Sequence, residues 1–474
     1  MTTIITEVSK YLMIILFACY TYDCFYALQK SRFAERQKAI LRRQRMYLFL
    51  IHLDAYLVIF ANTKELKMLV FYLMQVLLLG AIWVIYRYLY KKAARLVTNN
   101  LCMLLVISFI ILTRLNPDKA IRQFSLALVA VLLTLVVPFF IRHIHFLHKL
   151  PYLYALIGIV LLLLVAVAGN TAYGAKLSFT FGSVSLQPSE FIKILFVFFV
   201  AAMFYHSIEF KQIVITSVLA ALHVLILVLS KDLGSASIFF VTYLVMLYVA
   251  TKDYRYLLLG ALAGSGAAVI AYQLFSHVKV RVMAWKNPLA VIDNQGYQIS
   301  QSLFAIGTGG WFGLGLYQGM PNKIPVADED FVFAAICEEL GGVFAVCLIL
   351  VCASCYLMFL NIAMQMRNRF YKLLALGLGT VYGFQVFLTI GGVIKFIPST
   401  GVTLPFVSYG GSSLLSTFII FAVIQGLYII REDELFDEKK KQEYQQKENR
   451  IEFTERTDST AGTTKRKKKK TRFE

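Results

Sequence analysis

The chain has 474 residues, of which 47 are Lys or Arg and 27 are Asp or Glu, so only 16% are charged and the net charge is +20. Soluble globular proteins carry about 25% charged residues, whereas here 59% are hydrophobic, with 38 Phe and 27 Tyr, and mean hydropathy is +0.68. These figures exclude a soluble enzyme and a disordered chain. The basic excess does not point to nucleic acid, because much of it lies between apolar runs and in the last ten residues, where membrane proteins keep cytoplasmic charge.

Apolar runs of roughly 20 residues recur along the chain, each long enough to cross a hydrocarbon core about 30 Å thick. In chain order they predict thirteen membrane spans, near residues 8–27, 47–62, 68–88, 99–114, 124–141, 152–168, 187–206, 213–230, 234–251, 256–274, 331–358, 372–393 and 412–430. The first run lacks a small-residue cleavage site and reads as a retained span. Basic stretches at Lys30 to Arg45, Lys91-Lys92-Arg95, Arg142 to Lys149, Lys252-Arg255 and Arg367-Arg369 fall on one side. The positive-inside rule makes that side cytoplasmic, with the N-terminus outside and the tail after Arg431 inside. The expected fold is an all-α polytopic membrane protein. Its other face carries longer connections at about 169–186, 275–330 and 394–411. The middle one, about 55 residues with Trp285, Trp311 and many Gly, has a composition that argues for a functional loop. The tail, 432–474, is charged and Gln-rich and is expected to be a disordered cytoplasmic extension.

Ionisable groups within spans cost several kcal/mol and point to function. They are Asp54, Glu190, Lys193, Asp232, Glu338 and Glu339. Glu190 and Lys193 stand three residues apart, close enough to pair, and a packing ion pair is as good a reading as a site. Asp232 suits a helix cap, and Asp54 reads as paired within the bundle. His143, His145 and His148 lie in a basic loop without carboxylates or thiols, a poor zinc set. The seven Cys show no disulfide spacing, and Cys352 and Cys355 fall inside an apolar span. The Gly-rich run Gly307 to Gly315 lacks a Walker lysine and reads as tight turns beside a ligand or another loop.

A set of motifs runs along the chain: Gln187-Pro188-Ser189-Glu190 with Lys193, Asp232-Leu233-Gly234-Ser235, Arg281, Asn287-Pro288, Gly296-Tyr297-Gln298, Gln301-Ser302 and Ala305-Ile306-Gly307. Asp330-Phe331-Val332-Phe333-Ala334, Glu338-Glu339-Leu340-Gly341 and Pro398 through Ser408-Tyr409 to Ser412-Ser413 complete it. Taken together, these motifs resemble those of the shape, elongation, division and sporulation family of FtsW, RodA and SpoVE type. The resemblance covers about 99–431, leaving 1–98 as extra N-terminal spans. Asp328-Glu329 replaces His-Thr, Gly174-Ala175-Lys176-Leu177 departs from its segment, Lys231 stands for Pro, Thr389 for Asn and Lys395 for Gly.

The resemblance implies a peptidoglycan glycosyltransferase that polymerises lipid II at the outer face of the bacterial plasma membrane, beside a class B penicillin-binding protein. Asp330 is implied as the essential carboxylate. From the residues alone it is equally a helix N-cap. Arg281, Glu190, Lys193, Asp232, Glu338, Glu339, Lys395, Ser408, Tyr409 and Ser412 are candidate substrate contacts. Asp328 and Glu329 are candidate ligands for a divalent cation (Mg or Mn) held with a pyrophosphate. Two rival readings remain, a lipid-linked precursor flippase or transporter and a non-catalytic scaffold. Motifs gathered at one end of the spans, with no internal repeat, favour the enzyme over a transporter.

Overall fold

The computed structural model describes residues 2–28, 34–144, 146–172, 175–181 and 184–470. Lys30, His145 and Gly174 lie outside the described residues. Thirteen helices among the described residues are long and apolar enough to cross a membrane. They begin with α1 (Thr2–Leu28), α2 (Ala34–Thr63) and α3 (Leu66–Leu89), followed by α4 (Arg95–Leu115). The span expected near 124–141 is divided into α5 (Pro117–Thr134) and α6 (Val137–His143). Asn116 caps α5, its side chain accepting from the amides of Asp118 and Lys119, with Pro117 at the first helical position.

After α7 (Pro151–Ala168) the chain departs from the all-helical expectation. Strands β1 (Asn170–Ala172), β2 (Ala175–Phe181) and β3 (Val184–Leu186) form a small antiparallel sheet in the order β1-β2-β3. Helices α8 (Ser189–His206), α9 (Phe210–Leu229), α10 (Leu233–Thr251) and α11 (Tyr254–Leu274) follow. The long connection is itself helical, holding α12 (Ser276–Lys286) and α13 (Tyr297–Gly309). The chain ends with α14 (Val332–Gln365), α15 (Arg369–Val393) and α16 (Gly411–Lys470).

Helix α4 is the axis of the bundle, its apolar window wholly buried, whereas no residue in that of α11 is buried. Polar side chains join α1–α3 to this axis. Tyr20 donates to Asn100 Oδ1 at 2.9 Å, and Asn100 donates to Ser354 Oγ of α14 at 2.7 Å. His52, Gln75, Tyr56 and Thr113 form a second hydrogen-bonded run. Asp54 accepts from Ser9 at 2.6 Å, the intrabundle pairing expected of it. Such bonds hold helices together where lipid provides no hydrophobic drive.

The basic connections gather at the end of the bundle opposite the long loop. Asp433 pairs with Lys92 at 2.6 Å and Arg142 at 2.9 Å, and Glu438 pairs with Arg367. The segment expected to be a disordered tail instead continues α16 as helix to Lys470. Its Glu, Lys and Gln content is strongly helix-forming, which outweighs its lack of a core.

Helix α14 breaks inside the bundle at Gly341, with φ 89° and ψ 167°. The break frees backbone groups that Gly310–Gly315 satisfies: Leu314 N donates to Glu338 O, Gly315 N to Glu339 O, Gly342 N to Gly310 O and Val343 N to Trp311 O. Non-helical backbone at membrane depth survives only with such pairing. A Cβ at Gly341 would stand 2.4 Å from Gly313 N. Gly341→Ala therefore combines a Gly-only conformation with a backbone clash and should cost about 2 kcal/mol or more. Thermal unfolding in detergent should show a clear loss; a wild-type midpoint would mean the break tolerates a side chain.

Candidate active site

Asp330 ends the long loop immediately before α14. The N-cap of α14 is Phe331, without a side-chain cap bond, so the capping role open to Asp330 from sequence is not the one it plays. Its carboxylate instead faces the loop between α15 and α16, where a Cβ on Gly401 would stand 3.9 Å from Oδ2. Gly401 has φ 72°, a conformation that suits glycine. Burial pushes the Asp330 carboxyl up to about 7, with Glu329 and Asp328 adding to the rise and Arg281 opposing it.

Arg281, on α12, donates to Ser399 O at 3.2 Å. Burial lowers its pKa, and the fields of Asp232 and Asp330 oppose that, so one guanidinium serves two carboxylates. Asp232 caps α10 as expected, accepting from Ser235 N at 3.0 Å and from Ser189 Oγ at 3.3 Å. Burial raises its pKa.

Behind Asp232 lies a buried ion pair. Lys193 meets Glu190 at 2.6 Å and donates to Gln385 Oε1 at 2.7 Å. Glu190 also accepts from Ser416 Oγ at 2.8 Å, and Gln385 donates to Thr403 O at 3.0 Å. The pair thus ties α8 to α15, to α16 and to the loop bearing Gly401.

The remaining candidates hold backbone. Ser408 Oγ donates to Glu329 O, and Tyr409 N donates to Asp328 O at 2.7 Å, fixing the residues before Asp330. Ser412 accepts from Gln187 N at 2.9 Å. Glu339 accepts from Arg114 at 2.8 Å and from Tyr317 N at 3.2 Å, while Glu338 accepts from Met320 N at 2.8 Å, so both secure the long loop. Lys395 has φ 61°, and its carbonyl accepts from Trp285 at 3.2 Å.

Asp328 and Glu329, the candidate cation ligands, stand against Lys119, which lies 2.5 Å from Asp328 and 3.4 Å from Glu329. Among the described residues no group of three His, Cys, Asp or Glu is placed to hold a metal. Lys119, Arg114 and Gln385 were missed because their partners lie far away in sequence. His277 was missed too, although it stands one helical turn from Arg281 on α12, a spacing the sequence displays. Its Nε2 is buried with no hydrogen-bond partner among the described residues, and burial, Arg281 and Lys231 all favour its neutral form. Thr400 Oγ1, beside Gly401, is likewise buried and unbonded.

The arrangement offers one carboxylate that exchanges protons near neutrality and one cation beside it. It rests on the Glu190–Lys193 pair. Lys193→Met strands Glu190 as a buried charge and should destabilise by about 3 kcal/mol or more, while Glu190→Gln with Lys193→Met should recover most of that loss. Equal losses in both, measured by thermal unfolding, would mean that the pairing itself does not matter.

A family model described as cell cycle protein, of FtsW, RodA and SpoVE, matches residues 87–432. Peptidoglycan glycosyltransferase RodA of Mycobacterium tuberculosis is 35% identical over 329 residues, covering 65% of this chain and 69% of that protein. Stage V sporulation protein E of Bacillus subtilis is 33% identical over 277 residues, covering 56% and 74%. In fold, the chain is similar to rod shape determining protein RodA of Thermus thermophilus, with a TM-score of 0.55, 24% identity and coverage of 72% and 97%. A structure described as coordinating polymerization and crosslinking in a peptidoglycan synthase complex gives a TM-score of 0.61, 24% identity and coverage of 72% and 98%.

Proposed function

The chain belongs to the FtsW, RodA and SpoVE family of cell cycle proteins, and from that premise we propose how it carries out glycosyl transfer. It is a multi-pass membrane peptidoglycan glycosyltransferase. In our reading it polymerises lipid II at the outer face of the plasma membrane, with Asp330 as general base. The observation that carries this reading is the half-buried Asp330 carboxyl, raised to about 7 and set beside Arg281.

The acceptor sugar's 4-hydroxyl attacks the anomeric carbon of the donor. A new C–O bond forms as the bond to the pyrophosphate breaks, and configuration inverts from α to β. Asp330 takes the hydroxyl proton, and a positioned base of this kind contributes about 10²- to 10⁴-fold. The leaving pyrophosphate carries the departing electron pair and needs positive charge, which Arg281 offers as charge-assisted hydrogen bonds. The field of Asp232 also favours the charged form of Arg281. Lys119 supplies positive charge at Asp328 and Glu329. A class B penicillin-binding protein is the proposed crosslinking partner, supported by the polymerization and crosslinking ascribed to the similar complex.

A base must be ionised to act, so the rate should rise with pH through about 7. With labelled lipid II, the wild type should give glycan ladders, and Asp330→Asn none, while keeping wild-type thermal stability. Ladders from Asp330→Asn at the wild-type rate would remove Asp330 from the chemistry. Transfer of lipid across the bilayer without ladders would identify a flippase instead.

Sidedness follows from the basic connections gathered around α16, which support a cytoplasmic position for that end. A cysteine at Thr2 should react with an impermeant reagent on intact cells, and one at Thr463 should not. Reaction at Thr463 would turn Asp330 to the wrong side for this reading.

A further inference from the structure

The family match begins at residue 87 and so leaves out α1, α2 and nearly all of α3. Yet α1 lies against both the loop segment that plugs the break in α14 and the part of α14 beyond it. On one side, Lys10 Nζ donates to Gly313 O at 3.4 Å, within the segment that plugs the break. Thr6 is buried, and a Cβ on Gly315 would stand 2.7 Å from its Cγ2. The Tyr11 ring lies 5.8 Å from that of Phe312. On the other side, Phe17 meets Phe344 with ring centroids 4.4 Å apart.

We propose that α1 is a splint across this break, and that Lys10 is a positioning residue for glycosyl transfer, an inference that rests on the role given to Asp330 above. The part of α14 before Gly341 carries Asp330 at its leading end. Its backbone carbonyls at Glu338 and Glu339 are paired with Leu314 and Gly315, directly after the glycine that Lys10 holds. Lys10 reaches this plug from α1, its ammonium paired with Glu7 at 2.8 Å and its side chain only 10% exposed.

The geometry makes a small tilt costly. Ten residues separate Gly341 from Asp330, the nine from Val332 to Leu340 being helical, a lever of roughly 14 Å at 1.5 Å per residue. A tilt of about 5° at the break moves Asp330 by about 1 Å, and a displacement of that size can cost about 10²-fold in rate. The splint acts from behind the loop, so loosening it alters the position of Asp330 and not the Arg281 side of the site.

The test uses the full chain with Lys10→Met and Lys10→Arg, assayed on labelled lipid II and by hydrogen–deuterium exchange. Lys10→Met should lower kcat about tenfold or more with KM within twofold and the thermal midpoint nearly unchanged. Lys10→Arg should restore at least half of kcat. Exchange in 310–315 and 332–340 should quicken in Lys10→Met and leave α15 unaffected. Wild-type kcat in Lys10→Met overturns the proposal, as does unchanged exchange in both segments. A parallel fall of kcat and thermal midpoint in both variants overturns it as well, because it marks a merely structural residue. If the wild type itself makes no polymer, the glycosyl-transfer reading fails, and the exchange measurement alone then decides the splint.

Discussion

A polar backbone group inside a bilayer must find a partner within the protein, and the break at Gly341 makes that requirement the organising constraint of this fold. An unbroken α14 would bury its own amides and carbonyls. The broken helix cannot, so the long loop folds inward and pairs them through Gly310–Gly315. The glycines follow from the same demand, since Gly313 and Gly341 pass so closely that neither has room for a side chain. Glu338 and Glu339 then anchor the loop by accepting from Met320, Tyr317 and Arg114. One interruption in one helix thereby fixes the course of the chain from Gly309 to Met320, and with it the approach to Asp330.

Around Asp330 a second constraint operates, the shortage of positive charge among buried and half-buried carboxylates. Asp328 and Glu329 share Lys119, Asp232 and Asp330 share Arg281, and Glu190 has Lys193 to itself. Burial and its acidic neighbours thus push the Asp330 carboxyl up to about 7 while its cation is divided. That is a suitable condition for a base working near pH 7, because a proton taken up there is also readily returned. Neighbouring residues that looked like substrate contacts turn out to secure this state. Ser408 and Tyr409 clamp the backbone of Asp328 and Glu329, so the strand of chain before Asp330 is held at two successive carbonyls.

Hydropathy disclosed the spans well because each apolar run is bounded by charge; α3, expected near 68–88, runs Leu66–Leu89. The ion pair of Glu190 with Lys193 was legible from helical spacing, and the cap at Asp232 from its place before a span. Partners brought from other helices were not legible, Lys119 beside Asp328 and Glu329 among them. The sheet was a different omission. Lys176-Leu177-Ser178-Phe179-Thr180-Phe181 alternates polar and apolar residues, the period of a strand, but its shortness hid it among longer apolar runs. Lys395 has a φ of 61°, in the left-handed region that favours glycine.

The extra helices at the N-terminus have changed what the rest of the bundle can do without them. Asn99 and Asn100 are fully enclosed on α4, and their partners come largely from outside the family match: Tyr20 of α1, Leu41 and Gln44 of α2 and Trp83 of α3. Thr113, nearer the long loop, bonds Tyr56 of α2. Stripped of α1–α3, these amides and this hydroxyl would face hydrocarbon, where an unpaired polar group costs several kcal/mol. A chain whose central helix carries Asn at two successive buried positions is therefore adapted to its N-terminal helices along the whole depth of the bundle. The contact of α1 with the break in α14 is the end of that adapted seam that lies closest to the chemistry.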